Sequence, residues 1–210
     1  MKKILLKIIN HVFSFFNLTV DTKANWLRKK ENFIAEITDN ESIMIKSIQP
    51  YTMNSISSSW AIIQSIKHIN EKKIEGDIVE CGVFRGGNII LTKMLCNEFR
   101  LNKKIFAYDT FDGMPEPTIH DRDLKNIHAK PTYDKYKLNN TSWCKADLNE
   151  VKSNILKFNF DIEEDFYFIK GKVEETLKIE KNIPEKIALL ILDTDFYDST
   201  KIELEVLYPR

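Results

Sequence analysis

At 210 residues, 43% hydrophobic and 11% aromatic, the chain is long enough to bury one sizeable globular core. Its 31 basic and 31 acidic residues cancel and no basic run stands out, which excludes the charge footprint of a nucleic-acid binder. The cysteines, Cys81, Cys96 and Cys144, lack metal-type spacing and are too sparse for a disulfide framework, which fits a reducing cytoplasm.

Residues 1–20 alternate lysines (Lys2, Lys3, Lys7) with apolar residues up to Phe15 and Phe16. Lys7, Asn10 and His11 interrupt the apolar run, and no small-residue cleavage site follows, so this is no secretory signal. It is also too short and polar to span a bilayer, which excludes stable membrane insertion. The spacing predicts an amphipathic helix that packs on the domain as a cap, with support of a dimer or contact with a membrane surface as the alternatives. Residues 21–48 are charged and helix-patterned through Trp26, Phe33, Ile34 and Ile37, so residues 1–50 read as an N-terminal helical cap.

Pro50-Tyr51-Thr52 breaks the chain, and Ile56, Trp60, Ile63 and Ile66 set a helix over 54–70. Four strands are expected at 77–83, 104–108, 166–169 and 187–192, with helices fitting between them. This is the α/β pattern of a parallel sheet. The fourth strand, Ile-Ala-Leu-Leu-Ile-Leu, reads as one covered on both faces. Residues 112–147 form a long polar stretch, read as a lid, a substrate loop or a disordered insertion. His120, Asp121, Asp123 and His128 within it are irregularly spaced and read as solvated rather than metal-binding.

Two stretches carry chemistry. In the first, Gly76-Asp-Ile-Val-Glu-Cys-Gly-Val-Phe-Arg-Gly-Gly87, an apolar strand ends near Glu80 and a glycine-rich turn opens a helix from Asn88 to Phe99. The next strand ends in Asp109, placed to accept ribose hydroxyls in a nucleoside-binding fold. Glycines at 82, 86 and 87 do not match Gly-x-Gly-x-x-Gly, and Glu80 at the turn disfavours a pyrophosphate. A carboxylate there suits an ammonium or sulfonium ligand. In the second stretch, Asp193 and Asp195 leave the fourth strand two residues apart, at the end where ligands bind in open α/β sheets. Such oxygen ligands suit Mg²⁺, and a carboxylate there can serve as general base toward a hydroxyl. Asp198 and Ser199 read as helix-capping residues.

These stretches, with Ala107-Tyr-Asp-Thr-Phe-Asp-Gly-Met-Pro115, Ile169-Lys-Gly-Lys-Val-Glu-Glu-Thr-Leu177 and Tyr51-Thr-Met53, resemble the macrocin O-methyltransferase (TylF) family in order over 51–210. The resemblance implies a Rossmann-like class I methyltransferase, a three-layer sandwich with a parallel sheet. It implies methylation of a hydroxyl, on a sugar-containing small molecule such as a secondary metabolite or on a surface-polysaccharide sugar, dependent on S-adenosylmethionine and Mg²⁺. By position it implies Glu80, Gly82 and Gly86 on the methionine side of the cofactor, Asp109 on the ribose and Phe111 near the adenosine. Tyr51 and Thr52 would close over the cofactor, and Asp193 would be metal ligand and base.

Family members continue past Leu207-Tyr-Pro209 into a strand ending in paired aspartates. The resemblance therefore implies a domain over 51–210 that lacks the last strands and further metal ligands, with the fourth strand left as an apolar edge. A catalytically impaired cofactor-binding fragment or an interaction module is the alternative expectation, and a nicotinamide-dependent oxidoreductase a further one. The N-terminal helix and the edge both favour a homo-oligomer.

Overall fold

The computed structural model describes residues 34–139 and 141–210. The amphipathic helix expected over 1–20, and most of the helix expected over 21–48, lie outside the described residues. Helix α1 runs Asp39–Ile48, and it begins there because Thr38 and Glu41 close a capping box. Ile34 and Ile37 therefore precede the helix instead of lying within it. A short 3₁₀ turn at Gln49–Tyr51 follows, with Pro50 setting its first turn. Helix α2, Ile56–Lys72, is capped by Ser55 and buries Ile62, Ile63, Ile66 and Ile69 on one face. Buried Glu41 pairs with Lys67 at 2.5 Å and ties α1 to α2.

The sheet is formed by β1 (Asp77–Cys81), β2 (Ile105–Asp109), β3 (Phe166–Lys170) and β4 (Ile187–Leu192), with helix α3 (Gly87–Glu98) between β1 and β2. Its order is β3-β2-β1-β4 and each pairing is parallel. All strands thus end on one side of the sheet, at Cys81, Asp109, Lys170 and Leu192. The stretch over 112–147 carries α4 at Lys130–Leu138, and α5 follows at Leu148–Leu156. The remaining helices are α6 (Ile162–Asp165), α7 (Val173–Thr176) and α8 (Tyr197–Val206).

Side chains alternate across the strands and build a core on each face. On one face Ile78, Ile105 and Ala107 pack with Ile45, Ile48, Ile63, Ile90, Leu95 and Val151, so α1 shares the core of α2, α3 and α5. On the other, Val79, Cys81 and Tyr108 meet Val173, Leu177 and Leu207, from α7, the chain after it and the end of α8. The α/β fold with a parallel sheet, expected from the strand and helix pattern, is the one observed, with helices on both faces as the resemblance implied. The fourth strand packs on both cores, through Ala188, Leu189 and Ile191 on one face and Ile187, Leu190 and Leu192 on the other. It lies at the sheet edge, and every residue from Ile187 to Leu192 is only half-buried. An apolar run reports the environment of both faces but not whether a neighbour lies alongside.

Candidate active site at the strand ends

Strand β1 stops at Cys81, short of the expected residue 83, because Gly82 turns the chain at φ 87°. A Cβ at Gly82 would lie 2.3 Å from the Asp193 carbonyl oxygen. Gly82 donates its N–H to the Tyr108 carbonyl at 2.9 Å, and Asp193 donates to the Cys81 carbonyl at 2.8 Å. The ends of β1, β2 and β4 therefore meet backbone to backbone at Gly82, which only a residue without a side chain allows.

Asp109 organises the turn that follows. Its Oδ2 accepts the N–H groups of Val83 at 2.7 Å and Phe84 at 3.0 Å, and its Oδ1 accepts that of Phe111 at 2.7 Å. Phe84 and Phe111 both have φ 50°, so the carboxylate stabilises two left-handed residues at once. The Thr110 hydroxyl also lies 3.4 Å from Oδ1, but its one proton has a shorter bond, 2.7 Å, to the Gly113 carbonyl. With roughly four lone-pair sites on a carboxylate, the three backbone bonds then leave Asp109 capacity for about one further donor from the cavity it lines.

Glu80 sits one layer behind the cavity wall, fully buried, where the sequence pattern put a carboxylate at the mouth of the turn. The strand alternation turns it inward. Its Oε1 accepts from Asn88 at 2.7 Å, and Asn88 in turn accepts from Asn54 at 3.0 Å. Its Oε2 has no partner among the described residues. Burial holds its pKa well above the ordinary carboxylate range; the Asn88 bond opposes this, and the charges of Asp193 and Asp109 add to it.

Asp193 and Asp195 both line the cavity and are exposed to it. The cleft walls still raise both pKa values by partial desolvation, with the charge of Asp195 adding to the rise at Asp193. Neither carboxylate takes a hydrogen bond from another described residue. Among the described residues, no group of three or more His, Cys, Asp or Glu is arranged to hold a metal ion. Two free carboxylates nonetheless fit Mg²⁺, which commonly keeps waters and uses one or two such ligands.

The cavity measures about 260 Å³ and spans the four strand ends. Gly82, Asp109 and Asp193 line it among the residues the sequence singled out. Gly86, at φ 91°, caps the N-terminus of α3 behind it. Tyr51 and Thr52 lie against the turn: a Cβ at Gly87 would come within 2.6 Å of the Thr52 Cβ and 2.9 Å of the Tyr51 carbonyl oxygen. Arg85 fixes this strap by donating to the Pro50 carbonyl at 2.9 Å and to Glu150 at 2.6 Å. As a result Met53 and Asn54, not Tyr51 and Thr52, face the cavity. Phe111 does not line it either; it is buried in the core, edge-on to Phe168.

Sequence reasoning also missed Phe84, Cys144, Glu174 and Ser199 in the wall. One usable signal was Gly171, directly after β3, which marks the third strand end with φ 141°. Among the described residues no helix is long and apolar enough to cross a membrane.

The family model described as macrocin O-methyltransferase (TylF) matches residues 15–210. An 8-demethyl-8-(2,3-dimethoxy-alpha-L-rhamnosyl)-tetracenomycin-C 4'-O-methyltransferase from Streptomyces olivaceus is 28% identical, over 65% of this chain and 49% of its own length. Demethyldecarbamoylnovobiocin O-methyltransferase from Streptomyces niveus is 26% identical, over 76% of this chain and 58% of its own. Mycinamicin III 3''-O-methyltransferase from Micromonospora griseorubida is 25% identical, over 65% and 51%. The chain thus spans about half the length of the curated relatives it matches. The solved structure of the O-methyltransferase NovP is 26% identical, with a TM-score of 0.62 over 76% of this chain and 62% of its own. That of CalS11, a calicheamicin methyltransferase, shares the fold at 16% identity, with a TM-score of 0.54 over 84% of this chain and 76% of its own. With a family match over almost its whole length and this strand-end site, the chain belongs to the macrocin O-methyltransferase (TylF) family.

Proposed function

We propose that the chain acts as an S-adenosylmethionine-dependent O-methyltransferase on a hydroxyl of a sugar-bearing small molecule. The observation that carries this reading is one cavity with two chemically distinct walls, a glycine-rich turn braced by Asp109 and a pair of free carboxylates on the end of β4. Family membership and the O-methyltransferase activities of the relatives, one of which acts on a compound named with a rhamnosyl group, support it.

S-adenosylmethionine supplies an electrophilic methyl group on a sulfonium. The chain's own residues do the rest. Gly82 lets the ligand approach the backbone, and Asp109 accepts a ribose hydroxyl with its remaining lone pair. Glu80, Gly86, Tyr51 and Thr52 hold the turn and strap from behind, and Phe111 supports Asp109 from the core. Asp193 and Asp195 create a negative field that favours a cationic ligand. Asp193 would hold Mg²⁺, with Asp195 beside it, and would take the proton from the acceptor hydroxyl as the methyl group is transferred. Positioning and electrostatics then supply most of the rate gain. Free cysteines and balanced charge support a cytoplasmic enzyme without a nucleic-acid partner.

The test is incorporation of labelled methyl from S-adenosylmethionine into a panel of rhamnosyl and other deoxysugar glycosides. Label on a sugar oxygen is expected. Tight cofactor binding with no label on any glycoside would favour the interaction-module reading instead.

A further inference from the structure

Behind the acid-bearing turn lies a carboxyl group with no part in the reading above. Glu203, on α8, is fully buried. Its Oε2 accepts the Thr194 hydroxyl at 3.1 Å, and the buried Cys81 thiol lies beside the same carboxyl. Its Oε1 has no partner among the described residues. A buried carboxyl with an unsatisfied oxygen is costly, and an apolar residue would fill the space more cheaply.

The backbone in front of it supplies the reason. Asp195 has φ 66°, and the Phe196 N–H donates to the Thr194 carbonyl at 2.8 Å. This closes a three-residue γ-turn around Asp195, a strained form for a residue with a side chain. Strain of this kind persists only where the surroundings over-determine it. Cys81 pins the start of the turn by accepting the Asp193 N–H at 2.8 Å. Within the turn, the Thr194–Glu203 bond is the side-chain tether made among the described residues. Thr194 lies between the two acids and lines the cavity with them.

We propose that Glu203 is the positioning residue of this turn: by taking the Thr194 hydroxyl it holds Asp195 in its left-handed conformation and keeps Asp193 and Asp195 facing the cavity. The groups that face Glu203 are the Cys81 thiol from β1, the Thr194 hydroxyl and the Glu174 carboxylate from α7. Glu174 is itself engaged by the Ser199 hydroxyl at 2.7 Å, so α7 and α8 close over the buried carboxyl. The inference rests on the proposed function only for what the two acids serve; the turn geometry stands apart from it.

The test is NMR of the full chain, reading the intraresidue amide–Hα cross-relaxation of Asp195, which is strong at positive φ and weak at negative φ. T194S and E203Q keep the tether and are expected to retain the strong signal. T194V and E203L remove it and are expected to lose the signal. A strong Asp195 signal in T194V would overturn the proposal. If E203L fails to fold, the T194S and T194V pair decides alone, because both leave the buried acid in place. A wild-type chain that binds no S-adenosylmethionine would overturn the proposed function while leaving this test of Glu203 intact.

Discussion

A Cβ on Gly82 would sit 2.3 Å from the backbone carbonyl oxygen of Asp193, so the tip of β1 and the acid-bearing end of β4 touch without a side chain between them. The glycine of the cofactor turn and the proposed base are thus one mechanical unit. Gly82→Ala must push the end of β4 away and also strain a residue at φ 87°. The expected cost is about 3 kcal/mol in denaturant unfolding. Calorimetry should also show S-adenosylmethionine affinity falling by about tenfold or more, ~1.4 kcal/mol. Wild-type affinity in a folded Gly82→Ala chain would break the link.

Asp109 serves the backbone before it serves a ligand. Asp109→Ala leaves the Val83, Phe84 and Phe111 N–H groups without their acceptor. Loss of about 3 kcal/mol of stability is expected, since unsatisfied buried donors cost about 1–3 kcal/mol each and water reaches part of this site. Asp109→Asn keeps one acceptor oxygen and should cost about half as much. Chemical unfolding of both variants checks this order. Loss of cofactor binding in Asp109→Ala therefore counts as evidence for a ribose contact only if Asp109→Asn is folded and also weakened.

The strand–turn–helix at 77–98 and the second strand were legible because apolar runs and glycines report local conformation. The place of Asp193 in the cavity wall was legible because it directly follows an apolar strand, at the end of a parallel sheet where ligands bind. Glu80 and Phe111 stand behind the wall for different reasons: β1 alternation turns Glu80 to the core face, and the left-handed Phe111 after β2 packs on Phe168. Met53 and Asn54 lay beside the residues singled out, and the shift depends on Arg85 reaching Pro50 across 35 positions, a contact no local pattern encodes. Glu203 was invisible, since an acid on a helix reads as solvent-facing until the sheet is laid against it.

Glu203 gives the stability curve a definite sign. Burial, with the Glu174 charge adding to it, pushes its pKa from 4.5 to about 7 against the Thr194 bond and the neighbouring Cys81 thiol. The folded state therefore holds this proton more tightly than the unfolded state. The stabilising contribution is fully present below pH 4.5 and is lost as pH rises to about 7. The span corresponds to ~3 kcal/mol at 1.36 kcal/mol per unit. Glu80, also raised, acts in the same direction. Glu203→Gln should flatten this fall in a series of denaturant melts between pH 4.5 and 7.5. An unchanged slope would mean that Glu203 is already ionised in the native chain.

Asp193→Asn separates binding from chemistry. It keeps the shape of the turn and removes the base, so methyl transfer should fall by about a hundredfold or more. Cofactor affinity should stay within about threefold, because the glycine-rich wall is untouched. Equal loss of both quantities would make Asp193 a binding residue only.

The most direct test of the central claim is a calorimetric titration of the purified chain with S-adenosylmethionine, with NADH as the control ligand. The account predicts saturable one-site binding of S-adenosylmethionine, weakened in Gly82→Ala, and no heat with NADH. A folded chain that binds NADH, or that gives no heat with S-adenosylmethionine, would contradict it.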